Sequence, residues 1–155
     1  MRGTEGAKRV SRIVVLAAGN DARGDDGIGP CLATRLSALG LPGVTVLDAF
    51  QFQVENALDL DGVDAALFID AHRSQIEDVV LAPVAPAAAV AVQSHALSPA
   101  EVLRVREQIG EAVPPCWLLS VRGDDFSLGT GLGEPAVRRL EAAWDELRRW
   151  LAERV

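Results

Sequence analysis

Six consecutive apolar residues, Ile13 to Ala18 (IVVLAA), end at Gly19. A strand with one wet face alternates apolar and polar side chains. A strand with no polar residue in six must be covered on both faces, as in a parallel sheet. VTVLDA (Val44 to Ala49) reads as a second strand, and DAALFIDA (Asp64 to Ala71), nearly all apolar, as a third. Helical patterns separate these runs. PCLATRLSALG carries Leu32, Leu36 and Leu39 on one face, with Gly40 as its stop. Pro30 fits only a first turn, so this helix is expected to begin between Asp26 and Gly29.

The remaining segments follow the same alternation. Glu55 to Leu60 reads as a short helix. VVLAPVAP reads as a fourth strand, and its prolines suit an edge. SPAEVLRVREQIG is a capped helix: Ser98 is the N-cap, Pro99 the first helical residue, and Glu101 completes a capping box. PCWLLSVRG reads as a further strand. Glu134 to Val155 reads as a closing helix with Val137, Leu140, Trp144, Leu147 and Leu151 on one face. Strands alternating with helices predict a three-layer α/β sandwich: a mostly parallel central sheet with helices on both faces. The expected unit is a single domain over 1–155, with 1–10 flexible.

Charge and cysteine usage remove several function classes. A net charge of −7 opposes both nucleic acid and an anionic membrane surface. No apolar run is long enough to span a bilayer, and MRGTEGAKRV lacks the apolar core of a signal peptide. The two cysteines, Cys31 and Cys116, form no CxxC and read as free thiols in a reducing compartment. A cytoplasmic protein is expected.

In parallel α/β sheets, ligands bind beyond the carboxyl ends of the strands. The polar residues there are Asp25 and Asp26 in GNDARGDDGIGP, Asp70 at the end of the third strand, and His95 in QSHALSP. Each has a plain structural alternative. Asp26 suits a helix N-terminus, where the macrodipole favours negative charge; Asp70 has Arg73 nearby as an ion-pair partner; a lone histidine is seldom a ligand. Taken together, two carboxylates and one imidazole from three loops make a three-ligand site with open positions, suited to a borderline divalent ion such as nickel or zinc. No nucleophile elbow accompanies Ser94, and no GK[ST] follows the glycine loop. A phosphate site there is also disfavoured, because the acidic pair would repel the ligand.

GNDARGDDGIGP, LFIDA and SHALSPAEVL, in this order and spacing, resemble the signature segments of the [NiFe]-hydrogenase maturation endopeptidases, and the likeness runs from about Ile13 to Leu151. The resemblance implies cleavage of a C-terminal extension from the hydrogenase large-subunit precursor once nickel is inserted. Asp26, Asp70 and His95 would contact the metal and carry catalysis. The nickel would come with the precursor, held by its cysteine thiolates, and zinc or another divalent ion could substitute. That explains a protease with no evident nucleophile. Asp25 is then expected to shape the loop by accepting backbone N–H groups. Gly19, Asn20, Asp25 and Asp48 are expected on the substrate side. The alternative function is a non-cleaving nickel-sensing chaperone or binding module for the same precursor.

One segment departs from the family pattern. After Asp48, Phe50, Gln51, Phe52 and Gln53 stand where many members carry a glycine- and threonine-containing loop. The pattern resembles the branch serving soluble, NAD-reducing hydrogenases, as does SVRGDDFSLGTGLG. If the strand extends past Ala49, Phe50 and Phe52 point together, while Gln51 and Gln53 face the other way and offer amides to a peptide. The alternative is that both rings pack inward beneath the loop.

Overall fold

The computed structural model describes residues 10–90 and 96–155. Five strands form one sheet: β1 (Ile13–Ala18), β2 (Val44–Ala49), β3 (Ala65–His72), β4 (Val79–Pro83) and β5 (Cys116–Arg122). Their spatial order is β2-β1-β3-β5-β4. All neighbours pair parallel except β4, which runs antiparallel to β5 at one edge. Pro83 lies on that edge, where a missing N–H removes no central ladder bond.

Among the described residues three α-helices complete the layers: α1 (Ile28–Ser37), α2 (Pro99–Gln108) and α3 (Glu134–Ala152). The strand period of two divides the apolar runs between two cores. Ile13, Val15 and Ala17 of β1, with Leu67 and Ile69 of β3, face α1 and α3. Val14, Leu16 and Ala18, with Ala66 and Phe68, face α2 and a 3-10 helix over Val54–Leu60. Every residue of β1 is buried, as its uninterrupted apolar run demands. This is the three-layer α/β architecture expected from the sequence.

The caps and stops work as the sequence suggests, with two exceptions. Ser98 Oγ accepts the Glu101 N–H at 3.2 Å, and the Glu101 carboxylate accepts the Ser98 N–H at 2.9 Å. α1 ends at Ser37, one turn early, so Leu39 lies past the helix and is exposed. Val137 is exposed as well. The buried stripe of α3 runs through Ala136, Ala143, Trp144, Leu147 and Leu151. Val137 sits one residue, and so about 100° of rotation, away from it. The first nine residues, expected to be flexible, lie outside the described residues.

Candidate active site at the carboxyl edge of the sheet

β1 ends in a loop that only glycine can build. Gly19 has φ 148°, and a Cβ there would fall 2.1 Å from the Asp26 carbonyl oxygen. A Cβ on Gly29 would fall 2.3 Å from the carbonyl of Ala18. These contacts press the loop and the start of α1 onto the strand end. The loop then turns through a 3-10 segment, Gly24–Gly27, that holds both aspartates. Asn20 closes the turn: its Oδ1 accepts the Ala22 N–H at 2.9 Å, and its own N–H donates to Asp26 Oδ2 at 2.8 Å. Asp26 is therefore fixed by its loop yet stays half-buried, open to solvent at the end of the sheet.

Asp25 is placed differently. It is 2% exposed. Its Oδ2 accepts the N–H groups of Asp124 and Asp125 at 2.7 and 3.2 Å, and its Oδ1 accepts that of Gly133 at 2.9 Å. Backbone bonds reinforce the seam: Asp25 N to Asp125 O at 2.8 Å, Gly24 N to Thr130 O at 3.0 Å, and Gly129 N to Ala22 O at 2.7 Å. The loop-shaping reading of Asp25 thus matches its hydrogen bonds. A direct substrate contact does not fit a carboxylate with so little surface and with both oxygens taken by backbone donors.

Asp70 lies near the end of β3, half-buried, on the sheet face that carries Phe68 and Ala66. The 3-10 segment bearing Asp26 packs against this strand. Burial, then the neighbouring negative charge of Asp26, pushes the Asp70 carboxyl up to about 7, against a smaller opposing effect of the Ala71 backbone N–H. Two carboxylates sharing a partly dry site behave in this way when no cation joins them. Arg73 is not the partner of Asp70: its guanidinium lies over the Phe126 ring, 4.9 Å from the centroid. His72 is exposed at the end of β3.

Ser120 of β5 pairs in register with Asp70, so the two side chains share a face. Its hydroxyl bonds to Gln75 Oε1, while Gln75 Nε2 donates to the carbonyls of Ser120 and Glu77 at 3.0 and 2.7 Å. A serine inside the apolar run CWLLSVR was the available sequence signal for this polar neighbour of Asp70.

The third expected ligand, His95, and Ser94 beside it, lie outside the described residues. Among the described residues no group of three His, Cys, Asp or Glu side chains is set to hold a metal ion. Asp26 and Asp70 supply an all-oxygen pair whose mutual repulsion a divalent cation would relieve, and a borderline ion such as nickel or zinc would fit there only with nitrogen or sulfur donors beside them.

Across from the clamped seam, the ends of β1 and β2 border a cleft of about 330 Å³, lined by Gly19, Asp21, Pro30, Asp48, Ala49 and Phe50. Asp48 is exposed at its wall. The Phe50–Gln53 segment departs from both sequence readings, because β2 stops at Ala49 and the extended alternation ends with it. Phe50 is 75% exposed; Phe52 is 3% exposed and meets Phe68 edge-on at 5.2 Å. The two rings therefore neither point together nor both turn inward. The Phe52 carbonyl accepts the Leu97 N–H at 2.9 Å, tying the segment to the approach to α2. Gln53 opens the following 3-10 helix through its backbone: its N–H donates to Asn56 Oδ1 at 2.7 Å and its carbonyl accepts the Asn56 N–H at 3.0 Å. Gln51 is half-buried between them.

No protein-family model matches the chain, and no curated protein matches it. Solved structures do. A [NiFe] hydrogenase maturation protease, HycI, from Thermococcus kodakarensis KOD1 is 26% identical, with a TM-score of 0.69 over 88% of this chain and 90% of that one. The hydrogenase maturating endopeptidase HybD from E. coli is 22% identical, with a TM-score of 0.71 over 92% and 93%. The hydrogenase 2 maturation peptidase from Thaumarchaeota archaeon SCGC_AB-539-E09 is 19% identical, with a TM-score of 0.63 over 91% and 98%. The likeness covers nearly the whole of each chain. The chain is thus similar in structure, over most of its length, to solved [NiFe]-hydrogenase maturation endopeptidases.

Proposed function

We propose that the chain is a nickel-dependent endopeptidase of the cytoplasm that removes the C-terminal extension of a [NiFe]-hydrogenase large-subunit precursor after nickel insertion. The observation that carries this reading is the meeting of Asp26 and Asp70 at one sheet edge, with Asp70 pushed up to about 7 by burial and by Asp26. Such a pair is costly to keep ionised until a cation arrives. In this reading the cation is the precursor's own nickel, brought in as part of the substrate. Asp26 and Asp70, with His95, read its presence, and zinc or another divalent ion can take its place. The proton shed by Asp70 when the metal docks is released to solvent through the open side of the site.

Gly19, Asn20 and Asp48 then border the path of the precursor, Asp25 holds the loop from beneath, and Gln51 and Gln53 belong to the segment that selects it. Incubation of the purified chain with a nickel-loaded precursor tests the proposal. Loss of the extension supports it; stable binding without cleavage would instead establish a nickel-sensing chaperone.

A further inference from the structure

The sheet has two edges, and they are treated differently. β4 is antiparallel to its neighbour and carries Pro83. β2 is a parallel strand of six residues, VTVLDA, with no proline or lysine to block pairing. An unguarded edge of this kind invites another strand. Ile13 N donates to Gly43 O at 2.8 Å and Gly19 N to Ala49 O at 3.0 Å. With a strand period of two, the backbone groups of Thr45, Leu47 and Ala49 point at β1. Those of Val46 and Asp48 therefore point away from the sheet. Val44 also points away, but its N–H is used by Leu41 O at 3.3 Å.

A groove of about 390 Å³ follows this edge, between β2 and α1, lined by Ala33, Thr34, Ser37, Ala38, Val46 and Asp48. The α1 side is built from small residues, which leave room for another chain's side chains. At Asp48 the groove meets the cleft that reaches Gly19 and Phe50. The open edge thus leads directly to the loop that holds Asp26.

We infer that the extension of the precursor docks as an added strand on β2, with Val46 and Asp48 supplying the outward backbone hydrogen bonds. This inference rests on the proteolytic reading above. The direction follows from the topology. β2 runs toward the site, so an extension leaving the scissile bond runs down the edge in the opposite sense, antiparallel to β2. Six residues of strand span about 20 Å, enough to grip five or six residues of the extension. Asp21 and Asp48 border the cleft where the groove begins, so the extension that fits best carries a basic side chain close to the scissile bond. The competing occupant, β2 of a second copy, is opposed by the net charge of −7 on each chain.

Val46→Pro tests the inference, because it removes one outward N–H and leaves the ladder to β1 intact. With the nickel-loaded precursor, KM should rise about tenfold while kcat changes little. Hydrogen exchange on the unmodified chain gives an independent readout if that variant folds poorly. The amides of Val46 and Asp48 should slow on adding precursor and exchange freely without it. Unchanged KM in a folded Val46→Pro variant, or no slowing at these amides while the unmodified chain cleaves, would overturn the added strand. Slowing that depends on the concentration of the chain alone would show a dimer edge instead. An unmodified chain that leaves the precursor intact would refute the proteolytic reading itself, a result distinct from these.

Discussion

The two walls of the site are built on opposite plans. On one side, the loops after β1 and β5 are sewn together: Asp25 accepts three backbone N–H groups from Asp124, Asp125 and Gly133, and three backbone bonds run alongside. On the other side, β2 ends at an open edge, and Phe50 stands 75% exposed over a cleft. The sewn wall fixes the position of Asp26 in advance. The open wall leaves backbone and apolar surface unsatisfied, as a protein does where a partner will cover them. A site that must hold two carboxylates in place and also admit a large protein substrate needs both plans.

Single substitutions should separate the walls. The largest effect is expected at the carboxylates themselves. Asp26→Ala should lower processing by at least about 100-fold and leave stability within about 1 kcal/mol, because it is half-buried and accepts one N–H. Its neighbour should do the reverse in stability: Asp25→Ala removes the buried carboxylate that accepts three part-buried N–H groups and should cost about 3 kcal/mol, read as a drop in the urea midpoint. A processing defect in Asp25→Ala with full stability would mean that Asp25 acts on substrate and not on the loop.

Asp70 offers a pH test. Its folded carboxyl titrates near 7, above the ordinary value of 3.8. A raised value means that the folded state holds the proton more tightly than the unfolded chain. The resulting stabilisation is complete below about pH 4 and is lost as pH rises through about 7. Asp70→Asn removes this dependence. The variant should melt several degrees above the parent at pH 8 and close to it at pH 4, while losing processing. Equal melting points at pH 8 would show that Asp70 is not held in a costly ionised state.

The smallest effects are expected along the open wall. Phe50→Ala should change stability by less than about 0.5 kcal/mol and slow processing a few-fold, whereas Phe52→Ala should cost about 3–5 kcal/mol. If both behave alike, the division of this segment into a surface ring and a core ring is wrong.

Much of the sewn wall's chemistry was legible in the sequence, and its partners were not. The apolar runs of β1 and β3, the Ser98 cap and the glycines around Asp25 and Asp26 each carry a local signal, and each holds in the structure. The donors to Asp25 lie 99 to 108 residues away, beyond the reach of any local pattern. Phe50 and Phe52 misled because the alternation argument needs a strand, and β2 stops at Ala49, after which Phe52 finds Phe68. Leu39 and Val137 matched a helical period but fell past a helix end and off a buried stripe. Ser120 is a polar residue in an apolar strand, and only the register of β5 with β3 sets it beside Asp70.

The central claim is that Asp26 and Asp70 license cleavage of a nickel-loaded precursor. Intact mass measurement after incubation with nickel-loaded and nickel-free precursor tests it most directly. The C-terminal extension should be lost from the nickel-loaded form alone, and from neither form with Asp26→Ala. Cleavage that ignores nickel, or that survives Asp26→Ala, would contradict it.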